Sequence, residues 1–474
     1  MKRFRTLVVW MVSLVVATAV LMAQEAGKTN GRARRIAIFG SSVANGTGDE
    51  LGKEGYTGRL RALLAPRGWE VLNQSRGGDT TTRLAERFEP VGEPAPNTRY
   101  LMPVDPGYAV IALSLGNEGI KTNMKAEAER VYQQYIAGIK AMVERVRARN
   151  IVPIVTLVYT RDDFGTREYE YVQRANLEVN AWDVPSVNLL GAIDDGYGRW
   201  ARGFYPDALH PNAAGHEEML HAFVPSLFDA LAAGKPMPTK SNANGFARVR
   251  NAAPGSPWTF DVQDTMRSFA VSFRVRTQGD GTVASMGGRT LNASREWRQY
   301  KQRNGMLEFE AYTLTPSGTR LDASVALQGG RWVYTSANGN AIVAGRNGAD
   351  GQWHHVVLTH YVARGETLLY VDGQLVGSLP ERVQPDRFSL GGSSSSAAPR
   401  RPAQADYEEW FIFRAGLTHD EVKALHDGKL LQASLELYAP LADERFAKGQ
   451  TVANRAQSMS VARVGIDGIV HAQD

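Results

Sequence analysis

A serine, a histidine and a carboxylate in two short stretches of this chain have the types and spacing to carry out acyl transfer. Ser42 ends the run Ile36-Ala37-Ile38-Phe39-Gly40-Ser41, where four β-prone residues meet a turn rich in Gly and short polar side chains. A serine there is held by a rigid strand while its hydroxyl faces a crevice. Serine alone is a weak nucleophile and needs a base, itself oriented by a third group. Between the leader and residue 235 the histidines are His210, His216 and His221. His210 lies in Tyr205-Pro206-Asp207-Ala208-Leu209-His210-Pro211, so Asp207 can accept from one imidazole nitrogen while the other takes the serine proton. His216 and His221 fall in the helical pattern that follows and have no such carboxylate assigned to them. Taken alone, Ser42 also reads as a helix cap, and Asp-x-x-His-Pro as a surface turn with Pro211 at the first helical position.

These side chains need a frame. From residue 36 to 234, apolar runs alternate with helix-period segments. The runs are Ile36 to Phe39, Trp69 to Asn73, Tyr108 to Leu115, Ile151 to Val158 and Val184 to Leu190. The third and fourth are apolar at nearly every position, as in strands covered on both faces. Val131, Tyr135, Ile139, Met142 and Val146 form one stripe of a long helix, and further helices are expected over Tyr56 to Leu64, Thr166 to Trp182 and Asn212 to Leu231. Such alternation predicts an α/β domain with a doubly wound parallel sheet. Ligands of these sheets bind at the carboxyl ends of the strands, where Ser42 stands. The segment Asn73-Gln74-Ser75-Arg76-Gly77-Gly78-Asp79-Thr80-Thr81 also joins a strand to a helix. Its paired glycines allow close backbone approach, and Asp79 or Thr80 can cap the next helix; taken alone it reads as a capped strand-to-helix turn.

Gly40-Ser41-Ser42-Val43, Asn73 to Thr80, Gly116-Asn117-Glu118 and Asp207-x-x-His210-Pro211 stand in the order of the SGNH (GDSL) hydrolase blocks. Residues 34–235 resemble that family, which implies a flavodoxin-like five-stranded sheet and a serine esterase. The resemblance makes Ser42 the nucleophile, Asp207 and His210 the acid and base, and the Ser42 and Gly78 backbone with Asn117 the oxyanion hole. Two positions depart from the family. Ser41 replaces the usual Asp, and Leu115-Gly116-Asn117-Glu118-Gly119 replaces Gly-x-Asn-Asp, so either Asn117 is shifted by one position or Glu118 stands in the asparagine place. A carboxylate donates only when protonated. Asn117 is therefore the expected donor, and Glu118 the expected local structural carboxylate.

Met1 to Arg5 carries three positive charges, Thr6 to Met22 is almost wholly apolar, and small-residue sites follow at Ala17-Thr18-Ala19 and Ala23. Residues 1–23 thus read as a signal peptide, sending the chain to the periplasm, the cell surface or the medium with no stable membrane span after cleavage. The other reading is an uncleaved N-terminal anchor. The 474 residues include no cysteine, so neither lipid attachment at cysteine nor a disulfide is expected. A hydrophobic content of 43% suffices for two cores. The net charge of +5 is small and scattered, with no basic run interleaved with aromatics, so nucleic acid is not an expected partner.

Residues 236–246 have the Pro, Gly and small polar content of a linker, and helical periodicity then stops. Phe269, Val271, Phe273 and Val275 alternate with polar or small residues, and Asp372-Gly373 marks a hairpin turn. Many short strands predict an all-β antiparallel sandwich. Trp353-His354-His355-Val356-Val357, Leu369-Tyr370-Val371-Asp372-Gly373 and Trp410-Phe411-Ile412-Phe413 before a short helix at Thr418 to His426 resemble a laminin-G-like, concanavalin-A-like jelly roll over 247–440, with 441–474 as a tail. Leu435-Glu436-Leu437-Tyr438 is the candidate closing strand. The resemblance implies glycan binding, in some members with a structural calcium. His354 and His355 read as strand residues, since no third metal ligand is evident nearby. Trp297 and Trp332 are candidates for sugar stacking, with core packing the plainer use.

The combined expectation is an exported serine esterase that hydrolyses O-acetyl or other acyl esters of a polysaccharide, requires no cofactor, and holds glycan through its C-terminal domain. The alternatives are a lipase or small-ester hydrolase with the same triad, and a non-catalytic glycan-binding or adhesion protein.

Overall fold

The run Ile36 to Phe39 becomes strand β1 (Arg35–Gly40), flanked by β2 (Glu70–Asn73) and β3 (Tyr108–Ala112), with β4 (Val152–Thr156) and β5 (Ser186–Val187) beyond. The structure is a computed structural model and describes residues 31–473 apart from 123, 242–244, 251–254, 303, 394–399 and 443–444. The expected leader over 1–23 lies outside the described residues. All five strands run parallel in the order β2-β1-β3-β4-β5. Both faces are covered: Ala37, Phe39 and Ile111 enter one apolar cluster, and Ile36, Ile38 and Val110 enter the other. That is why these runs do not alternate with polar residues. Order reverses between β1 and β3, so the loops leaving their carboxyl ends diverge and open a crevice.

The helices of this domain are α1 (Ser42–Asn45), α2 (Gly55–Leu64), α3 (Thr81–Glu86), α4 (Leu115–Glu118), α5 (Lys125–Arg147), α6 (Thr166–Asn180), α7 (Leu190–Ile193), α8 (Ala213–His221) and α9 (Leu227–Ala232). The stripe of α5 is buried at Val131, Tyr135, Ile139, Met142 and Val146. The segment expected as one helix over Asn212 to Leu231 is two, because Pro225 between them has no N–H to continue the ladder.

The second domain contains β6 (Phe246–Val249), β7 (Trp258–Asp261), β8 (Phe269–Thr277), β9 (Gly281–Gln302), β10 (Gly305–Gln328), β11 (Arg331–Thr335), β12 (Ala341–Asn347), β13 (Trp353–Tyr361), β14 (Glu366–Val371), β15 (Gln374–Pro380), β16 (Val383–Leu390), β17 (Ala405–Phe413), α10 (His419–His426), β18 (Leu435–Ala439), β19 (Thr451–Val452), β20 (Ala462–Val464) and β21 (Ile469–Ala472). Among the described residues they form two eight-stranded antiparallel sheets, a jelly-roll sandwich. One sheet runs β12-β11-β10-β9-β16-β7-β20-β19; the other runs β15-β14-β13-β8-β17-β6-β21, with β18 on β17. The residues after Pro440, expected as a tail, supply β19, β20 and β21, and Val452, Ala462, Val464 and Ile469 enter the sandwich core. Ala462 and Val464 alternate with exposed Arg463, a run too short to register as periodicity.

The two domains are joined by buried polar contacts. The N–H of Ser434 donates to Ser186 O (3.0 Å) and that of Asn188 to Ser434 Oγ (2.8 Å), covering the short edge strand β5. Asn188 Nδ2 donates to Glu421 Oε1 (3.0 Å). On the opposite side, the hairpin β9–β10 extends from the sandwich onto the loops at the carboxyl end of the parallel sheet, where Tyr312 N donates to Gly203 O (3.0 Å).

Candidate active site

Ser42 is the first residue of α1, directly after β1, and is half-buried. Ser41 beside it is fully buried, and its N–H donates to Ala112 O at the end of β3 (3.0 Å). This bond ties the first and third strand ends together. Gly77 lies against the nucleophile, since a Cβ built there would stand 3.8 Å from Ser42 Cβ. The loop carrying Gly77 and Gly78 is anchored by Asp79, which is fully buried and accepts from Arg76 Nε (2.9 Å) and Arg87 Nε (2.7 Å). Burying this carboxylate is tolerated because two guanidinium groups hold it. Gly78 sits in the left-handed region with φ 78°, which glycine adopts without strain. Thr80, not Asp79, caps α3 by accepting from Arg83 N (3.2 Å).

The third block forms the single turn α4, capped by Ser114 Oγ, which accepts from Gly116 N (3.1 Å). Asn117 Nδ2 donates to Asp79 O (3.1 Å), joining the second and third blocks. An amide carries two N–H groups, so this bond leaves one for an oxyanion. Glu118 points elsewhere: its Oε1 accepts from Thr81 N at the start of α3. Burial raises the Glu118 carboxyl above its ordinary value, and the Thr81 N–H and hydroxyl oppose that rise. It serves as the structural carboxylate expected from sequence.

His210 Nδ1 lies 3.0 Å from Asp207 Oδ1 and 3.2 Å from Oδ2. Asp207 Oδ1 also accepts from Leu209 N (2.8 Å) and His210 N (3.0 Å), which folds Asp-x-x-His into a turn that fixes both side chains. Burial alone would raise the Asp207 carboxyl, but the His210 ring and these two N–H groups hold it below its ordinary value. An ionised carboxylate facing Nδ1 leaves that nitrogen as the donor and Nε2 as the proton acceptor.

The loop after the nucleophile is stitched to the helix after the base. Asp49 accepts from Gly55 N (2.9 Å) and Arg59 Nη1 (2.6 Å), and Arg59 Nη2 donates to Ala213 O (3.1 Å). His216 accepts from Tyr56 N at Nδ1 (3.3 Å), so its Nε2–H donates to Thr47 O (3.0 Å). Complete burial holds the His216 imidazole down to about 4, and both nitrogens are used. It is a neutral brace rather than a base. His221 does have a carboxylate neighbour, Glu217 one turn before it, at 3.5 Å. Gly48 has φ 97°, and a Cβ there would approach Pro211 O to 2.2 Å and His210 Cβ to 2.9 Å. Only glycine lets these two loops touch.

Residues 38–218 match the GDSL-like lipase/acylhydrolase family, and residues 258–423 match the concanavalin A-like lectin/glucanase superfamily. The N-terminal domain is a GDSL-like acylhydrolase domain. The C-terminal domain is laminin-G-like and concanavalin-A-like. No curated protein matches the chain. Among solved structures, an Enterococcus faecalis lipase/acylhydrolase is 20% identical, covering 44% of this chain and 100% of its own, with a TM-score of 0.32. A catalytic mutant of an acetylxylan esterase from Geobacillus stearothermophilus is 18% identical, covering 40% and 92%, with a TM-score of 0.30. A Bacteroides ovatus protein provisionally described as carbohydrate-binding is 12% identical and has a TM-score of 0.32; the match covers 50% of this chain and 61% of that one. At these TM-scores none of the three carries an argument about this chain.

Elsewhere in the sandwich, His354 bonds Asp372 (2.9 Å) and Asp350 (3.1 Å), and His355 bonds Ser272 (2.8 Å). Among the described residues no cluster of three or more His, Asp or Glu side chains is arranged to hold a metal ion, so no residues are assigned to calcium. Trp332 is buried in the sandwich core, whereas Trp297 on β9 is 61% exposed. A cavity of about 940 Å³ opens in the sandwich, lined by Arg250, Arg276, Arg401 and Asp406 among others, and shares no lining residue with Ser42, Asp207 or His210. No helix among the described residues is long and apolar enough to cross a membrane.

Proposed function

We propose that this chain is an exported serine esterase that removes acyl groups, O-acetyl in particular, from a polysaccharide. The observation that carries the reading is the Asp207–His210 pair, held on a turn that is stitched to the loop of Ser42 inside an acylhydrolase domain. His210 Nε2 takes the Ser42 proton as Oγ attacks the ester carbonyl. The N–H groups of Ser42 and Gly78 and the free Asn117 N–H stabilise the oxyanion. His210 then protonates the departing sugar oxygen, which leaves as a hydroxyl while the acyl group stays on Ser42. Water, deprotonated by His210, attacks the acyl carbon, and His210 returns that proton to Ser42 Oγ as the acyl–oxygen bond breaks and the acid is released. Asp207 stabilises the imidazolium in both halves.

The polysaccharide assignment rests on the concanavalin-A-like domain, which would hold glycan while the crevice works on its esters. Export rests on the charge and hydropathy pattern of Met1 to Ala23. The test is acetate release from a panel of acetylated polysaccharides and from an aryl acetate, with Ser42→Ala as control. Release by the wild type and its loss in Ser42→Ala is the expected result. Glycan binding by both proteins with no release by either would leave a binding protein in its place, and preference for long acyl chains would point to a lipase.

A further inference from the structure

The hairpin β9–β10 presents three alternate residues of β9 to the acylhydrolase domain, as strand geometry requires of residues on one face. Gln302 Nε2 donates to Asp207 Oδ2 (3.0 Å). The Tyr300 hydroxyl accepts from Gly48 N (3.1 Å). Arg298 Nη1 pairs with Glu50 Oε1 (2.6 Å), while Glu50 Oε2 accepts from Ala213 N (2.7 Å). The three contacts fall on the acid, on Gly48, where a Cβ would meet His210 Cβ, and on Glu50, which holds the first residue of the helix after the base. The Glu50 side chain is only 4% exposed, so that ion pair is not a surface ornament.

We infer that the sandwich hairpin belongs to the catalytic site, with Gln302 as the positioning residue of Asp207. The inference rests on the esterase reading above. Asp207 Oδ1 already accepts three N–H groups, two from the backbone and one from His210. Among the described residues, Oδ2 has the longer His210 contact and Gln302. The Gln302 amide therefore fixes the carboxylate plane that aims the imidazole. A neutral donor suits this position, because Lys or Arg would offset the negative charge that stabilises the imidazolium, whereas an amide satisfies a lone pair and leaves the charge in place. Ester hydrolysis is thereby coupled to docking of the C-terminal domain, although the catalytic triad lies wholly in the first.

The test uses full-length chain and Gln302→Leu, with Gln299→Leu, an exposed neighbour on the same strand, as control. Gln302→Leu is expected to lower kcat about tenfold on an aryl acetate with KM within about twofold, the scale of one hydrogen bond to a charged group. In an Asp207→Asn background the same substitution is expected to cost nothing further, because its effect passes through that carboxylate. An unchanged kcat, or an equal loss in the Asp207→Asn background, overturns the inference; the second outcome would mark the hairpin as packing only. The low-field proton resonance of His210 Nδ1–H reports the same link without turnover, and is expected to move in Gln302→Leu but not in Gln299→Leu. If Ser42→Ala retains full activity the esterase reading fails, and the resonance alone then decides whether Gln302 sets the Asp207–His210 pair.

Discussion

Replacing Asp207 by Asn is the most informative single perturbation of the proposed mechanism. The change keeps the side-chain shape, and an Asn carbonyl at the Oδ1 position still accepts from Leu209 N and His210 N, now at 2.8 and 3.0 Å, so the turn should persist. What is lost is the negative charge 3.0 Å from His210 Nδ1. At an effective dielectric of about 20, an ion pair at that separation is worth roughly 5 kcal/mol, or about 10⁴ in rate. Orienting carboxylates of other Ser/His/Asp sites are worth about the same. The two side chains are 16% and 22% exposed, so solvent screening reduces the figure, and a fall in kcat of about 10²–10⁴ is expected. The amide placed at Oδ2 would also face Gln302 Nε2, donor against donor, so the Gln302 amide must turn over. The assay is initial-rate hydrolysis of an aryl acetate at pH 7, with kcat and KM determined separately and thermal unfolding as the check on folding. A fall of less than tenfold in a folded protein would refute the assignment of Asp207 as the group that stabilises the imidazolium.

Asn117→Ala is expected to lower kcat by about 10²–10³ with little change in KM, the scale of one oxyanion donor; an unchanged kcat would reduce Asn117 to a tie on Asp79 O. Glu118→Gln should keep kcat within about threefold, because the Gln oxygen can still accept from Thr81 N; a loss beyond a hundredfold would put Glu118 in the chemistry. Glu421 at the domain junction is pushed by burial up to about 7 from 4.5, although Thr418 donates to it from N and Oγ1. Its folded-state value is raised, so its contribution to stability is complete below about 4.5 and is lost as pH rises to about 7, at most about 3 kcal/mol. Melting temperature should therefore fall more steeply between pH 5 and 8 in wild type than in Glu421→Gln, and parallel curves would contradict this account.

Much of the frame and of the candidate site is legible in the chain because its signals are local. Ile36 to Phe39 and Tyr108 to Leu115 read as buried strands from composition alone, and α5 from its stripe. Asp207 and His210 announce each other because they are three residues apart, and Ser42 because a strand ends beside it. The single helix expected over Asn212 to Leu231 missed the break at Pro225, which was itself a local signal. Glu118 reads as structural, but its partner Thr81 is invisible in the sequence, since the contact joins the helices that follow β2 and β3, two strands that flank β1 and do not pair with each other.

The residues that sequence reasoning missed are those whose partners are distant in the chain. Gln302 is 95 residues from Asp207, and Tyr300 is 252 residues from Gly48. Nothing in Arg298-Gln299-Tyr300-Lys301-Gln302 distinguishes it from any polar, exposed strand. In the tail after Pro440, β20 and β21 likewise pair with β7 and β6, more than 200 residues earlier. Strand periodicity, turn chemistry and the order of short blocks are properties of neighbours along the chain, and those the sequence determined by itself. Which strand pairs across domains, and which amide meets a carboxylate, depends on the docking of two finished cores, and that only the tertiary structure decided.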